Sequence, residues 1–495
     1  MQYLIGIDIG TTNVKAVAIA EDNRVLATAS RPTQFLSPFP GAAEQSPLDL
    51  LRQVATVVRT VQRSAATQGQ AAGLIFSGAM HSLILMDADN EPLSNAWLWS
   101  DLRAAGTGKA FRQTAAGTAV YQRTGTPLHA MSPLVKIMWL RQHQPDLMAR
   151  TWRFMGIKDF ILQKIVQENI TDASIASATG LLNTRSGQWD ELALEMAGIR
   201  KEQLPEPVSP LSVFPLPKRA AAWLRLPAGL PVIPGASDGA LANLGSGALG
   251  PDTLGITVGT SAALRVTLPA PSLDPEGRTF CYRVDDSRFV AGGASNNGSN
   301  VMDWLHQNLL QSRKSMAALL HPALALPAGS EGLMLVPYLH GERAPVWDAE
   351  ATGVLQGLSA RHTQAHMLRA AVEGVVLNLR LVASLLPAGQ NALHIALSGG
   401  AAGSPLWRSV VADVFQLPVR CPAGDSVDLS ARGAILMARA ALGWPDLPAQ
   451  AQVETTLPNQ KNAAVYHQAL TRFIHLCGHS IRPASDASTG QPEPI

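Results

Sequence analysis

A turn of glycine and hydroxyl residues occurs twice in this chain, each time after a short apolar strand. The first follows residues 3–9 and reads Gly10-Thr11-Thr12, with Asp8 near the end of the strand. The second follows residues 254–258 and reads Gly259-Thr260-Ser261. Glycine lets a backbone approach a ligand closely, and turn N–H groups and threonine hydroxyls can hold phosphate oxygens. Two such turns, one in each half, predict two lobes that hold one polyphosphate between them.

Strands and helices alternate in both halves of the chain. Residues 3–32 predict three strands joined by tight turns, and residues 47–67 predict a helix with apolar residues at helical spacing. The second half repeats this order, with a hairpin over 253–268 and a long helix over 363–386. The alternation is typical of an α/β protein. Because 495 residues exceed one hydrophobic core, we expect two domains.

Composition excludes several other classes of protein. A net charge of +2 provides no strong field for nucleic acid or a membrane surface, and no run of about 18 apolar residues predicts a membrane span. Cys281, Cys421 and Cys477 are far apart, which suits a reducing cytosol and predicts neither a zinc site nor a disulfide framework. The first residues lead straight into a strand, so we expect no signal peptide. The prediction is a cytoplasmic enzyme without nucleic-acid or membrane partners.

Asp8 is the first candidate for chemistry. A carboxylate at a strand end, beside a hydroxyl-rich turn, can hold Mg²⁺, usually through water, because this ion prefers oxygen ligands and dehydrates reluctantly. An ordinary hairpin explains the same residues equally well.

Asp238 is the second candidate. It follows the apolar residues 231–233 and is flanked only by small residues, so we expect it to be accessible. A carboxylate within reach of a substrate hydroxyl can take its proton as the oxygen attacks phosphorus. A helix cap is the alternative role, and the spacing does not decide between them.

Further turns complete the candidate site. Gly399, Gly400 and Ser404 follow a strand and open a helix, where small residues let a base or ribose lie on the backbone. A plain turn between strand and helix is the alternative. Met80 and His81, with Asp101 and Arg103, follow strands of the first half and predict a polar pocket for a hydroxylated substrate. A lone histidine after a strand is more often structural.

With these residues in view, the chain resembles the FGGY carbohydrate kinases, which have the actin-like ATPase fold. Two long segments carry the resemblance, residues 131–143 (MSPLVKIMWLRQH) and residues 353–374. The resemblance implies an α/β, ribonuclease H-like fold of two lobes, each a mixed sheet flanked by helices, with the active site in the cleft between them. It also implies an N-terminal sugar-binding lobe over 1–245 and a C-terminal ATP-binding lobe over 246–450. Residues 451–495 are expected to form a C-terminal helix and a tail, and the Ser, Pro and Gly content from about Pro483 predicts that this tail is disordered.

The resemblance assigns roles to the turns described above. The expected cofactors are ATP and Mg²⁺, and Asp8 would face the metal. The phosphates would be contacted by Thr11, Thr12, Gly259 and Thr260. Gly399, Gly400 and Ser404 would line the adenosine site, although some relatives carry Asn where Ser404 stands. Asp238 would be the catalytic base, and Met80 and His81 would touch the sugar. Relatives are often dimers, so a homodimer is expected.

Within the family, the likeness is greatest to the gluconate kinases. Four short segments carry it: residues 76–82, 99–103, 292–298 and 341–348. They imply phosphorylation of a sugar acid, D-gluconate, to 6-phospho-D-gluconate. The carboxylate of gluconate needs a donor or a cation, and motif position makes His81, Arg103 and Arg343 the candidates.

Other functions remain open from the sequence. Relatives often have Gln just before the Met-His pair, where this chain has Ala79. A kinase for xylulose or another ketose or polyol is therefore the alternative. A more remote one is an actin-like protein that binds nucleotide without turning it over.

Overall fold

The computed structural model describes residues 1–422, 428–445 and 453–478. Within them the strands are β1 (Gln2–Ile9), β2 (Asn13–Ala20), β3 (Val25–Pro32), β4 (Glu44–Gln45), β5 (Gln70–Gly78), β6 (Ile84–Met86), β7 (Ala96–Trp97), β8 (Arg153–Met155), β9 (Ile170–Asp172), β10 (Glu206–Val208), β11 (Phe214–Pro215), β12 (Pro231–Ile233), β13 (Thr253–Val258), β14 (Ala262–Leu268), β15 (Phe280–Arg283), β16 (Phe289–Ser295), β17 (Met334–Val336), β18 (Val354–Gln356), β19 (His394–Ser398), β20 (Val419–Pro422) and β21 (Val453–Thr456).

The α-helices of these residues are α1 (Pro47–Ala65), α2 (Ala105–Arg112), α3 (Ala115–Thr124), α4 (Pro133–His143), α5 (Pro145–Arg150), α6 (Ile157–Val166), α7 (Ala173–Ser177), α8 (Glu191–Ala197), α9 (Lys218–Leu224), α10 (Asp238–Gly245), α11 (Asn300–Trp304), α12 (Met316–Leu324), α13 (Gln364–Ser384), α14 (Pro405–Phe415), α15 (Leu429–Ala441) and α16 (Ala463–Leu476). None of them is both long enough and apolar enough to span a membrane. The disordered tail that the sequence predicts lies outside the described residues.

Two mixed sheets form the centres of the two halves. The first has the strand order β11-β12-β5-β1-β2-β3, and the second has the order β15-β16-β14-β13-β19-β20-β21. Strand β1 is antiparallel to β2 and parallel to β5, just as β13 is antiparallel to β14 and parallel to β19. The two halves therefore share one arrangement around their Gly-Thr turns. The predicted two-lobed α/β fold with mixed sheets is confirmed.

Helices cover the sheets through apolar residues at helical spacing. Helix α1 begins at Pro47, where the Ser46 hydroxyl accepts a hydrogen bond from the Asp49 amide at 3.3 Å. Its buried face, which includes Leu50, Val54 and Val58, packs into the core of the first sheet. Fully burying one such side chain contributes about 1.5–3 kcal/mol. The helix predicted over 47–67 is confirmed, because this apolar stripe is a local signal.

Helices α10 and α15 pack against each other between the two sheets. A Cβ on Gly245 would overlap the carbonyl oxygen of Leu429, and a Cβ on Gly433 would overlap that of Leu241. Glycine at these two positions lets the helix backbones touch. Helix α15 comes from the second half of the chain, yet its apolar residues pack with strands of the first sheet. This crossing joins the two halves, and both helices contribute residues to one cleft.

Candidate active site

The strand register places Asp8 in the cleft between the two sheets. Asp8 is opposite Ser77 of β5 and opposite Lys15 of β2, and Ser77 Oγ donates to Asp8 Oδ1 at 2.7 Å. Asp8 and Asp238 both line a cleft of about 480 Å³. Burial, and next the negative charge of Asp238, raise the pKa of Asp8 to about 6. Two carboxylates thus face the same space, which favours a cation there.

The first Gly-Thr turn is fixed through its backbone. The carbonyl oxygen of Thr11 accepts hydrogen bonds from Thr33 Oγ1 at 2.6 Å and from Gln45 Nε2 at 2.7 Å. The amide of Gly10 donates to the carbonyl of Asn13 at 3.1 Å. Thr12 is exposed at the tip. The turn is therefore rigid at its base and leaves a hydroxyl side chain open to solvent.

The second Gly-Thr turn lies at the matching place of the second sheet. Thr257 is opposite Ser398 in the register, and their hydroxyl oxygens are 3.0 Å apart. The carbonyl of Gly259 accepts from the Ser299 amide at 2.7 Å, and that of Thr260 accepts from the next amide along the chain at 3.2 Å. Apart from its two chain neighbours, no described residue has an atom within 4 Å of the position that a Cβ on Gly259 would take. The turn is thus held on one side and open on the other.

Asp238 is the first residue of α10. The cap of that helix is Ser237, whose hydroxyl accepts from the Ala240 amide at 3.4 Å. Asp238 Oδ1 accepts from the adjacent Gly239 amide at 2.6 Å, and burial raises the pKa of Asp238. Because the Ser237 hydroxyl caps the helix, Asp238 is not needed as the helix cap. Its carboxylate lines the cleft instead.

The glycines of the third turn connect this cleft with a second cavity. Gly399 lines the first cleft, whereas Gly400 and Ser404 line a neighbouring cavity of about 510 Å³. Gly399 has φ +80°, and a Cβ there would overlap the Val258 carbonyl oxygen, so this position needs glycine. Apolar residues such as Leu320 form much of the second cavity. Its size and its position beside the cleft that Asp8 and Asp238 line fit a nucleoside.

His81 is buried and neutral in this structure. Its Nδ1 lies 2.7 Å from the carbonyl oxygen of Ala178, so Nδ1 carries the proton and Nε2 is left as an acceptor. Burial, and next the charge of Lys136, lower the pKa of His81 to about 3. A neutral His81 can accept a hydrogen bond from a hydroxyl but brings no positive charge to a carboxylate. This argues against the prediction that His81 is a candidate for the gluconate carboxylate.

Asp101 and Arg103 are bonded to other protein groups. Their side chains are 0% and 4% exposed, and Arg103 donates to Asp101 through Nε at 2.8 Å and Nη2 at 2.7 Å. Arg103 Nη2 also lies 2.5 Å from Glu44 Oε1, and the guanidinium lies 3.9 Å from the ring centroid of Trp97. These bonds argue against the prediction that Asp101 and Arg103 contact the substrate, because both side chains are buried among protein groups. Their ion pair instead ties strand β4 to the loop after β7.

Arg343 has a different environment. Its Nη2 donates to the Ser295 carbonyl at 3.0 Å, and its guanidinium lies 4.8 Å from the ring centroid of Trp99. Within the described residues no carboxylate lies within 4.0 Å of it, and its buried Nε has no hydrogen-bond partner. Burial lowers the pKa of Arg343 to about 10, which still leaves it charged at neutral pH. The guanidinium of Arg343 is therefore charged, and its Nε is free to donate a hydrogen bond to an anion.

Lys15 is a candidate site residue that the sequence analysis missed. It is opposite Asp8 in the hairpin, and its Nζ lies 2.6 Å from Asp428 Oδ2. Asp428 lines the cleft and caps helix α15. A half-exposed cation beside the first turn would attract phosphate oxygens. The pairing of Lys15 with Asp8 in the predicted hairpin is the signal that could have identified Lys15.

The carboxylates fit a Mg²⁺ ion that arrives with a nucleotide. No group of three or more His, Cys, Asp or Glu side chains among the described residues could hold a metal ion by itself. Mg²⁺ usually has one or two carboxylates, several waters and substrate phosphates as ligands. Asp8 fits this set, because its Oδ2 has no hydrogen bond to any residue that the structure describes and Asp238 lies beside it.

Comparison with known proteins gives consistent results. The family models for the N-terminal and C-terminal domains of the FGGY family of carbohydrate kinases match residues 3–245 and 254–442. The chain is 34% identical to the gluconokinase of Bacillus licheniformis, with 96% of this chain and 95% of that protein covered. It superposes on the crystal structure of a gluconate kinase from Lactobacillus acidophilus with a TM-score of 0.90 and 32% identity, covering 96% and 97% of the two chains. A ligand-bound xylulose kinase from Lactobacillus acidophilus gives a TM-score of 0.90 and 31% identity, with 96% and 98% covered.

Proposed function

The chain belongs to the FGGY family of carbohydrate kinases, and we propose that it transfers the γ-phosphoryl group of ATP to the terminal hydroxyl of D-gluconate, giving 6-phospho-D-gluconate. The observation that carries this proposal is the similarity to a gluconokinase over nearly the whole of both chains. The similarity to a solved gluconate kinase over the same length supports it.

Asp238 is the proposed catalytic base. Its carboxylate lines the cleft at the start of α10, and its raised pKa makes it a better proton acceptor than an ordinary aspartate. The substrate hydroxyl would donate to Asp238 and lose its proton as the oxygen attacks phosphorus. A general base typically contributes about 10²–10⁴-fold, whereas alignment of the two reactants is worth about 7–11 kcal/mol. Positioning is therefore the larger share of the proposed catalysis.

The proposed nucleotide site runs across both turns. Gly400 and Ser404 would line the adenosine cavity, and the two Gly-Thr turns would hold the phosphates from opposite lobes. Lys15 would add a positive charge beside the first turn. Asp8 would hold Mg²⁺, and the ion when bound would neutralise charge on the phosphate oxygens.

The proposed sugar site lies on the side of Asp238 that faces away from the proposed nucleotide site. His81 would accept a hydrogen bond from a substrate hydroxyl through Nε2, and Met80 would give an apolar contact near the first turn of α10. Arg343 is the candidate among the predicted residues for the carboxylate, since its guanidinium has no acidic partner within 4.0 Å in the part of the chain that the structure describes.

A substrate panel with the purified chain tests this function. ADP release in the presence of ATP and Mg²⁺ is measured with D-gluconate, D-xylulose, glycerol and no acceptor. We expect the highest kcat/KM with D-gluconate. If kcat/KM is higher with D-xylulose, the substrate is a ketose and the proposal of gluconate is wrong. ADP release that no acceptor increases would instead indicate a nucleotide-binding protein without kinase activity.

Xylulose is the second candidate substrate. One observation favours it: the ligand-bound xylulose kinase superposes on this chain with the same TM-score as the gluconate kinase, 0.90. A cytoplasmic location and a homodimer remain predictions. Light scattering of the purified chain measures the second of these directly.

A further inference from the structure

Arg265 is a cation in the cleft that none of the roles above uses. It lies on β14, opposite Gly255 of β13 and Gly292 of β16, and lines the same cleft as Asp238. Its guanidinium reaches the first turn of α10, since a Cβ on Gly239 would lie 3.1 Å from Arg265 Nη2. The charge of Asp238 acts on Arg265, but among the described residues the Arg265 side chain has neither a hydrogen bond nor an ion pair within 4.0 Å. Arg265 is partly exposed in the cleft, so a ligand bound there could accept its hydrogen bonds.

Two more donors without partners belong to the same half of the chain. The hydroxyl of Tyr282 is buried and has no hydrogen bond to the described residues, and the same holds for Nε of Arg343. Arg265 of β14 and Phe280 of β15 are both opposite Gly292 of β16, so the side chains of Arg265 and Tyr282 lie on the same face of the sheet. The ring of His81 lies 5.7 Å from the ring of Tyr282. The Tyr282 side chain, with its unpartnered hydroxyl, therefore lies on the face of the sheet that carries Arg265, beside the ring of His81.

Asp238 and Glu342 are the acidic groups whose charges act on this pair of arginines, yet neither carboxylate forms an ion pair within 4.0 Å with them among the described residues. Glu342 precedes Arg343 in the chain, and its carboxylate accepts from Ser295 Oγ at 2.7 Å and from the Asn296 amide at 2.9 Å. Burial lowers the pKa of Arg343, and the charge of Arg265 acts in the same direction. The two guanidinium groups carry like charges and therefore repel each other. An anion between them would relieve that repulsion and satisfy the free donors.

We propose that Arg265, Arg343 and Tyr282 form the subsite for the carboxylate of an aldonate substrate. This inference rests on the proposed function and names the groups that would separate a sugar acid from a neutral sugar. The planar guanidinium of arginine matches the geometry of a carboxylate and donates two parallel hydrogen bonds to it. The tyrosine hydroxyl would be a third donor. A neutral ketose would leave all three groups without partners, which disfavours its binding.

Binding of D-gluconate to the nucleotide-free protein is the primary test. Isothermal calorimetry compares the wild type with Arg265→Met, Arg265→Lys and Tyr282→Phe, and uses D-glucitol as a ligand with the same carbon chain and no carboxylate. Arg63→Met is the matched control, because Arg63 is exposed on α1. Removing one charged donor should weaken D-gluconate binding about 10- to 100-fold in Arg265→Met, with D-glucitol binding unchanged. Arg265→Lys should retain part of the affinity.

Several results would overturn the subsite. One is an unchanged Kd for D-gluconate with a lowered kcat, which would mean that Arg265 contacts the transferred phosphoryl group. Another is equal weakening of D-gluconate and D-glucitol in both Arg265 variants, which would indicate a general loss of pocket structure. If the wild type itself shows lower kcat/KM with D-gluconate than with D-xylulose, the proposed function fails and the subsite with it. If the wild type prefers D-gluconate and Arg265→Met binds it normally, the subsite alone fails.

Discussion

The hydroxyl of Ser237 caps helix α10, and the carboxylate of Asp238, one residue later, is left to face the cleft. Ser237 is held in turn by Ser174, whose Oγ accepts from the Ser237 amide at 3.1 Å and donates to its hydroxyl at 3.1 Å. Lys158 Nζ donates to the carbonyl of Ala236 at 2.9 Å. The folded lobe therefore sets the direction of the Asp238 carboxylate before a substrate binds.

Asp238→Asn should lower kcat about 10²–10⁴-fold, because the amide cannot accept the proton of the substrate hydroxyl. ATP affinity should change little, since Asp238 is not proposed to contact the nucleotide base or ribose. Coupled ADP release measures kcat, and calorimetry measures ATP binding. Asp146→Asn is a matched control on the exposed surface of α5. Near-normal turnover in Asp238→Asn would remove this residue from its proposed role.

Lys158 and Asp172 form an ion pair that is almost fully buried, with 2.7 Å between Nζ and Oδ2. Lys158→Met should lower the free energy of unfolding by about 3–5 kcal/mol, because it leaves a buried carboxylate uncompensated. Asp172→Asn keeps an acceptor for the Ser174 and Ile175 amides that Asp172 caps. Urea unfolding of the double variant should show a loss smaller than the sum of the two single losses. Strict additivity would contradict a coupled pair.

Asp8→Asn should stabilise the protein at high pH. The pKa of Asp8 is about 6 in the folded protein, against an ordinary value of 3.8. The folded state therefore binds the proton more tightly, and the ionised carboxylate costs stability that grows as pH rises from about 4 to 6. Asparagine avoids that cost and still accepts from Ser77. Without nucleotide, we expect a gain of about 1–3 kcal/mol at pH 8 that disappears near pH 4.

Thermal unfolding of wild type and Asp8→Asn across that pH range measures this difference. The variant should also lose kinase activity, because a neutral amide is a poorer ligand for Mg²⁺. Equal melting temperatures at pH 8, or a gain that is the same at every pH, would show that the folded protein does not raise the pKa of Asp8.

Arg103→Met should affect stability and leave substrate preference alone. Its guanidinium is bonded to Asp101 and Glu44, so its removal leaves two buried carboxylates without a counterion. The expected loss is about 3–5 kcal/mol in the free energy of unfolding. The KM for D-gluconate, measured at a temperature where the variant is folded, should stay close to that of the wild type. A large rise in KM with unchanged stability would restore Arg103 as a substrate contact.

The sequence predicts well those hairpins and helices that depend on residues close together in the chain. The hairpins around Gly10 and Gly259 follow from alternating apolar residues and turn residues, and helix α1 follows from its apolar stripe. The role of Arg103 could not be predicted in this way, because its partner Glu44 lies on a distant strand. Arg265 escapes a sequence argument for the same reason, since its surroundings depend on how β14 packs beside α10.

The contact between α10 and α15 also limits how the cleft can change its width. Their backbones touch where Gly245 meets Leu429 and where Gly433 meets Leu241, which leaves no space for one helix to slide into the other. A relative motion of the lobes that keeps both contacts is a rotation whose axis passes through them. Under such a rotation the atoms nearest the axis move least. Asp238, one helical turn from Leu241, would therefore stay nearly fixed while the distant rims of the cleft swing apart.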